Sequence, residues 1–258
     1  MHTPRGHVML KTVNLNPRIL LSLSYSSNPA KGILARLAVV SNWAAVSQPQ
    51  IQVFMAALAL VILPVFVQAP LVRYFPWVSL VMTLGWLGLG WYLMQRPRWQ
   101  VWGDLIIGFG WIWLTGTIYW GWLRWEPVVH LPVEALGLPI AILCLRWGWG
   151  RVGSYFFLGS LLGTAVTDLY INWMQLFPQW RQLMRVDPDY APAVLQAAAT
   201  SLETDIAAGR AVVLVIFLLV ATGVALTTSR QLAWWAFGGA VFSTLIVDGL
   251  FFLVAMAA

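Results

Sequence analysis

After Ile51 the chain alternates long apolar stretches with short polar breaks, and seven of the stretches are long enough to cross a bilayer. A helix of about 20 apolar residues spans the hydrocarbon layer. The pattern predicts such helices at about 51–69, 76–94, 103–122, 128–146, 152–176, 207–228 and 232–257. The breaks carry turn residues: Pro70, Gln95-Arg96-Pro97-Arg98, Glu126-Pro127, and Gly148 to Gly150. Connectors this short force antiparallel neighbours. Pro64, and Pro132 with Pro139, fall inside the first and fourth spans and should distort them locally. The fold class is all-α: a polytopic transmembrane helix bundle with about seven spans, plus amphipathic helices at its surfaces.

Two regions break the pattern. Residues 1–50 begin polar and then give the apolar run Ile33 to Val40, short for a span. The reading is a helix over 30–46 lying on the membrane surface, with Lys31 and Arg36 near lipid headgroups. An eighth span there would invert the N-terminus. Arg18–Ser24 holds only a short apolar core, so no secretory leader is expected. The bundle proper is 51–258, with one long loop at 177–206. In that loop Asp187-Pro188-Asp189 marks a turn, and Leu195, Ala198, Leu202 and Ile206 recur at helical spacing. That periodicity predicts an amphipathic helix on the membrane face.

Composition agrees with a lipid solvent. Of 258 residues, 60% are hydrophobic and 9% charged, with a mean hydropathy of +0.76. The net charge of +6 comes from basic residues scattered singly between spans, so it orients the protein and makes no nucleic-acid footprint. With the N-terminus cytoplasmic, ten of the fifteen basic residues fall inside: Arg5, Lys11, Arg18, Lys31, Arg36, Arg96, Arg98, Arg146, Arg151 and Arg230. The positive-inside rule then places the C-terminus on the lumenal or periplasmic side. Most of the 17 tryptophans lie near span ends, where indole anchors at the interface. Trp86, Trp91, Trp111 and Trp113 lie deeper, packing on helices or lipid or stacking on a pigment. Gly159 and Gly163 form a small-residue step that lets a neighbouring helix come close.

Several chemistries are excluded by residue count. Cys144 is the lone cysteine, so no intrachain disulfide or CxxC site exists. His2, His7 and His130 are the only histidines, which rules out a bis-histidine haem inside the bundle. Lys11 and Lys31 precede the first span, which rules out a retinal Schiff base.

Three acids sit within spans, at a cost of about 2.5–3.5 kcal/mol each on insertion scales. Glu134 lies about six residues, roughly 9 Å, below the outer surface; Asp168 about eight, roughly 12 Å; and Asp248 about nine, roughly 14 Å. They belong to the fourth, fifth and seventh spans and are expected to share one half of the membrane. Ser160, Thr164, Asp168 and Asn172 recur every four residues and make one polar stripe. His130 and Glu134 are also four apart. Such a pair can relay protons, supply two ligands to a metal, or form a structural hydrogen bond. Two ligands alone specify no metal site. Asp248 has Thr244 four residues earlier on its face. Arg210 opens the sixth span and is a candidate charge partner for Asp168 or Glu134, or for Glu203 and Asp205. Asp104, at the start of the third span, is assigned to that helix's own N-terminal dipole.

The stretches Gly116-Thr117-Ile118-Tyr119-Trp120-Gly121-Trp122-Leu123-Arg124-Trp125-Glu126-Pro127 and His130-Leu131-Pro132-Val133-Glu134-Ala135-Leu136-Gly137-Leu138-Pro139 resemble an uncharacterised cyanobacterial integral-membrane protein family, a domain of unknown function. So do Thr167-Asp168-Leu169-Tyr170-Ile171-Asn172-Trp173 and Phe177-Pro178-Gln179-Trp180-Arg181. The resemblance implies a thylakoid or plasma membrane of a photosynthetic bacterium. It assigns no catalytic residue.

Three functions are open to such a chain. The first is a binding or assembly protein that holds a lipid, quinone, carotenoid or chlorophyll, or docks on a larger membrane complex. The second is a small proton- or cation-coupled transporter using Glu134, Asp168 and Asp248. The third is an intramembrane enzyme acting on a hydrophobic substrate with one of these carboxyls as acid or base. No HExxH, GxSxG or P-loop motif supports the third.

Overall fold

The computed structural model describes residues 46–257; the surface helix expected over 30–46 falls outside them save its last residue. Seven helices are long and apolar enough to cross a membrane. We label them α1 (Gln48–Tyr74), α2 (Pro76–Met94), α3 (Pro97–Leu123), α4 (Pro127–Trp147) and α5 (Arg151–Trp173), then α8 (Asp205–Thr228) and α9 (Leu232–Met256). Between α5 and α8 lie the short α6 (Phe177–Leu183) and α7 (Ala191–Leu202). There is no strand among the described residues. Hydropathy alone therefore located all seven spans, and the periodicity of the long loop located α7, except that Ile206, the last of the four positions, opens α8 instead.

Prolines shape the irregular stretches. α1 passes through a π-helical turn at Pro64–Gln68. α4 is the most broken span, with 3₁₀ turns at Pro127–Val129 and Ala135–Gly137 around the α-helical turn His130–Glu134. The second of these turns precedes Pro139, whose ring clashes with the carbonyl four residues earlier, that of Ala135. Pro132 lies in the opening turn of its segment, where a missing N–H costs little, so His130 and Glu134 keep one face.

The core joins α1, α3, α5 and α9 through Val53, Leu105, Phe109, Trp113, Phe156 and Ala240. α3 and α5 are the most buried spans. α5 rests on α9 at Gly159, where an added Cβ would stand 2.6 Å from the Phe237 carbonyl, and Gly163 faces Thr244 more closely still. α3 and α5 touch backbone to backbone at Gly108 and Gly153. α2 packs on α3, α4 on α5, and α8 on α9.

A neutral polar cluster ties α1, α2 and α3 together. Gln68, in the π turn, donates to Thr117 Oγ1 at 2.8 Å and to the Trp113 carbonyl. The Ser79 hydroxyl meets Thr117 Oγ1 at 2.8 Å, and Trp113 Nε1 donates to the Ser79 carbonyl at 3.0 Å. Each partner satisfies another, so burial leaves none of these hydrogen-bonding groups orphaned.

Candidate functional site

The broken start of α4 aims His130 at α5. Its Nδ1 lies 2.9 Å from Asp168 Oδ1, and its Nε2 lies 3.2 Å from Glu134 Oε1 one turn further along α4. The side chains of His130, Glu134 and Asp168 are 12, 16 and 17% exposed, so the trio is largely buried without being sealed. Thr164, one turn before Asp168, donates its hydroxyl to Glu134 Oε2 at 2.7 Å. Thr167 donates to Asp248 Oδ2 on α9 at 2.8 Å. Two threonines of α5, three residues apart, thus reach the acids of α4 and α9.

Hydrogen bonds at both ring nitrogens would set a proton count. A neutral imidazole has one N–H and one bare nitrogen, and a carboxylate only accepts. For both ring nitrogens to hydrogen-bond to carboxyl groups, two protons must lie among the three residues. Either the imidazole is doubly protonated between two carboxylates, or it is neutral with one carboxyl carrying the second proton. Both arrangements leave one net negative charge. The nitrogens point to opposite carboxyls, so the acids surround the ring rather than a common point, and no group of three such side chains converges on a metal position among the described residues.

Aromatic rings wall the trio. Tyr119 is fully buried and stacks on His130 with centroids 4.1 Å apart. Trp120 meets the imidazole edge-on at 6.0 Å, and Trp180 lies 6.3 Å away. Tyr119 and Trp120 come from a π turn at Tyr119–Leu123 that closes α3. Trp180 comes from α6, which is pinned across this end of the bundle. Its Nε1 donates to the Arg124 carbonyl at 2.8 Å. Arg181 forms a two-pronged ion pair with Glu126, Nη2 to Oε1 at 2.7 Å and Nε to Oε2 at 3.2 Å. The guanidinium hydrogen bonds hold the Glu126 carboxyl below the usual glutamate range. α6 enters through Gln175, a non-glycine residue at φ +57°.

Not every sequence candidate joins this site. Asn172 continues the α5 stripe but lies exposed in the last turn, beyond the trio. Arg210 turns away from the acids: its Nη1 donates to the Trp173 carbonyl at 2.8 Å and its guanidinium lies over the Trp173 ring. It caps the C-terminal end of α5, where unsatisfied carbonyls attract a cation. Asp248 pairs with Thr167 across to α5 rather than with Thr244, whose hydroxyl sits against Gly163.

Asp104 also differs from its assignment. It serves the N-terminus of α5 rather than its own helix, accepting from the Val152 amide at 2.7 Å and the Gly153 amide at 3.0 Å. The close approach at Gly108 and Gly153 brings those amides within reach. Thr167, Tyr119, Trp120, Trp180, Glu126 and Arg181 completed the site without being singled out as candidates.

A family model described as "Protein of unknown function (DUF3120)" matches residues 57–256, from α1 through α9 and including every residue of the site. The chain belongs to this family. No curated protein and no solved structure matches it significantly. The family match thus encloses the trio, its aromatic wall and the α6 clasp in one unit, and it assigns none of them a role.

Proposed function

We propose that this DUF3120 member handles protons within the membrane, as a small proton-coupled transporter whose exchanging centre is Asp168, His130 and Glu134. One observation carries the reading: both nitrogens of a single imidazole meet carboxyl groups from two different spans. A protonated Asp168 can give its proton to Nδ1 while Nε2 releases one to Glu134. That step moves one proton from α5 to α4, flips the ring tautomer, and needs no heavy atom to travel. To reset, Glu134 releases its proton, Asp168 takes up another, and the ring returns to its first tautomer. Thr164 extends the array at Glu134, and Thr167 with Asp248 forms a second hydrogen-bonded pair next along α5. Ionisable groups placed inside spans despite their cost are what such a path requires. The partial exposure of the trio leaves it open to exchange.

Proton entry into liposomes under an imposed pH gradient tests this. Wild-type protein is expected to acidify the lumen faster than empty liposomes, and Asp168→Asn and Glu134→Gln to fall to the empty-liposome rate. Equal flux in wild type and both variants contradicts the proposal.

A second reading, a binding protein for a lipophilic ligand, is favoured by a groove of about 260 Å³ that runs to the opposite end of the bundle. The same resemblance that implied a thylakoid or plasma membrane supports that location, with the trio towards the lumenal or periplasmic face.

A further inference from the structure

The groove lies among α2, α3, α4 and α5 and runs from Gly137, about one turn past Glu134, to Trp149 and Gly150 at the α4–α5 connector. Its origin is steric. α2 leans on α3 and α4 on α5, while the glycine contact of Gly108 with Gly153 draws α3 and α5 together and leaves a cleft between the outer pair. Gly137 lets the Phe157 ring pack directly on α4, since a Cβ there would come 2.7 Å from that ring. The walls are Leu87, Ile107, Trp111, Ile140 and Phe157, and the rim carries Trp91 and Trp149, 59% and 44% exposed. Cavity walls of this apolarity within a bundle suit a hydrocarbon chain.

Cations flank the connector end of the groove, although none of them lines it. The α2–α3 connector brings Arg96 and Arg98, and the α4–α5 connector brings Arg146 and Arg151, all exposed. Arg96 is occupied by Tyr92, and Arg98 lies over Trp99. Arg146 and Arg151 have no carboxylate partner among the described residues. Asp104 is the one acid lining the groove, and its oxygens are taken by the α5 amides. Every other acid of the chain belongs to the opposite connectors or to the half of a span nearest them. The two connectors at this end of the groove therefore carry four arginines and no acid, and Asp104 within the groove is already engaged.

We infer that the groove and its arginine rim bind an anionic phospholipid, with one acyl chain in the cleft and the phosphate at Arg146 and Arg151. Basic pockets between spans recognise such headgroups. The inference gives the second reading a ligand class, and it stands whether or not the trio moves protons.

Native mass spectrometry of the purified full-length chain tests it, using phosphatidylglycerol and phosphatidylcholine with identical acyl chains. The wild type should retain phosphatidylglycerol preferentially. Arg146→Gln with Arg151→Gln should weaken phosphatidylglycerol by about 30-fold, to the level of phosphatidylcholine. Ile140→Trp, which fills the cleft, should weaken both lipids while the protein stays monodisperse. Equal retention of the two lipids, or an unchanged arginine double variant, overturns the inference. So does displacement of phosphatidylglycerol by inorganic phosphate with no effect of Ile140→Trp, which would mark a site for free anions. Because this assay reads no proton flux, its failure and that of the proton-handling proposal are separable.

Discussion

The two ends of α5 each meet a carboxyl group from another span, and they treat it in opposite ways. At the N-terminal end Asp104 accepts from two backbone amides, Val152 and Gly153. Those donors never lose their protons, and they belong to the orphan set that every helix start must satisfy. At the other end Glu134 and Asp168 face an imidazole and a hydroxyl. The imidazole can give or take a proton at either nitrogen. An acid fixed by amides is a brace; acids joined through a titratable ring can exchange. The cost of embedding a carboxyl is thus no sign of chemistry by itself, because the partner decides what the acid can do.

The contrast is tested most severely by removing the brace. Asp104→Ala leaves two amides unsatisfied at a tight helix contact and should cost about 3 kcal/mol, seen as a lower thermal unfolding temperature in detergent. His130→Phe keeps a ring against Tyr119 but strands both carboxyls; it should cost about 2 kcal/mol and abolish proton flux. Glu134→Gln and Asp168→Asn preserve shape and some hydrogen bonding. They should change stability by about 1 kcal/mol while abolishing flux, which separates them from Asp104→Ala. Thr164→Val removes one donor to Glu134, so flux should slow without stopping.

The smallest effect lies at the α6 clasp. Since Arg181 lowers the Glu126 pKa, the clasp's contribution is fully present above the ordinary glutamate value. It is lost as pH falls through the lowered folded value. Hydrogen exchange over 177–183 should quicken on acidification through that window and in Arg181→Gln at neutral pH. Bundle amides should not follow.

The legible parts of the sequence were those with a period or a solvent cost. Apolar length marked all seven spans, and four-residue spacing placed Ser160, Thr164 and Asp168 on one face of α5. The same spacing put Glu134 within reach of His130 because Pro132 fell where helices tolerate it. Side-chain direction at helix ends was not legible. Asp104 reached α5 because glycines let two backbones meet, and Arg210 chose a carbonyl over an acid. Both depend on which helix lies alongside, and a single-helix pattern does not encode that. The Tyr119 and Trp180 walls were hidden by abundance: among so many aromatics, only the π turn and the α6 clasp distinguish these rings.

The protonation of His130 itself gives the most direct test. Solid-state NMR of ring-¹⁵N histidine in lipid bilayers, with the signal assigned by its loss in His130→Phe, reports the hydrogen bonding of each nitrogen. Both nitrogens should be hydrogen-bonded, with Asp168→Asn perturbing chiefly Nδ1 and Glu134→Gln chiefly Nε2. A ring with one bare, unbonded nitrogen, unmoved by one of the two substitutions, would contradict a proton-bridged trio and leave this end of α5 as inert as the other.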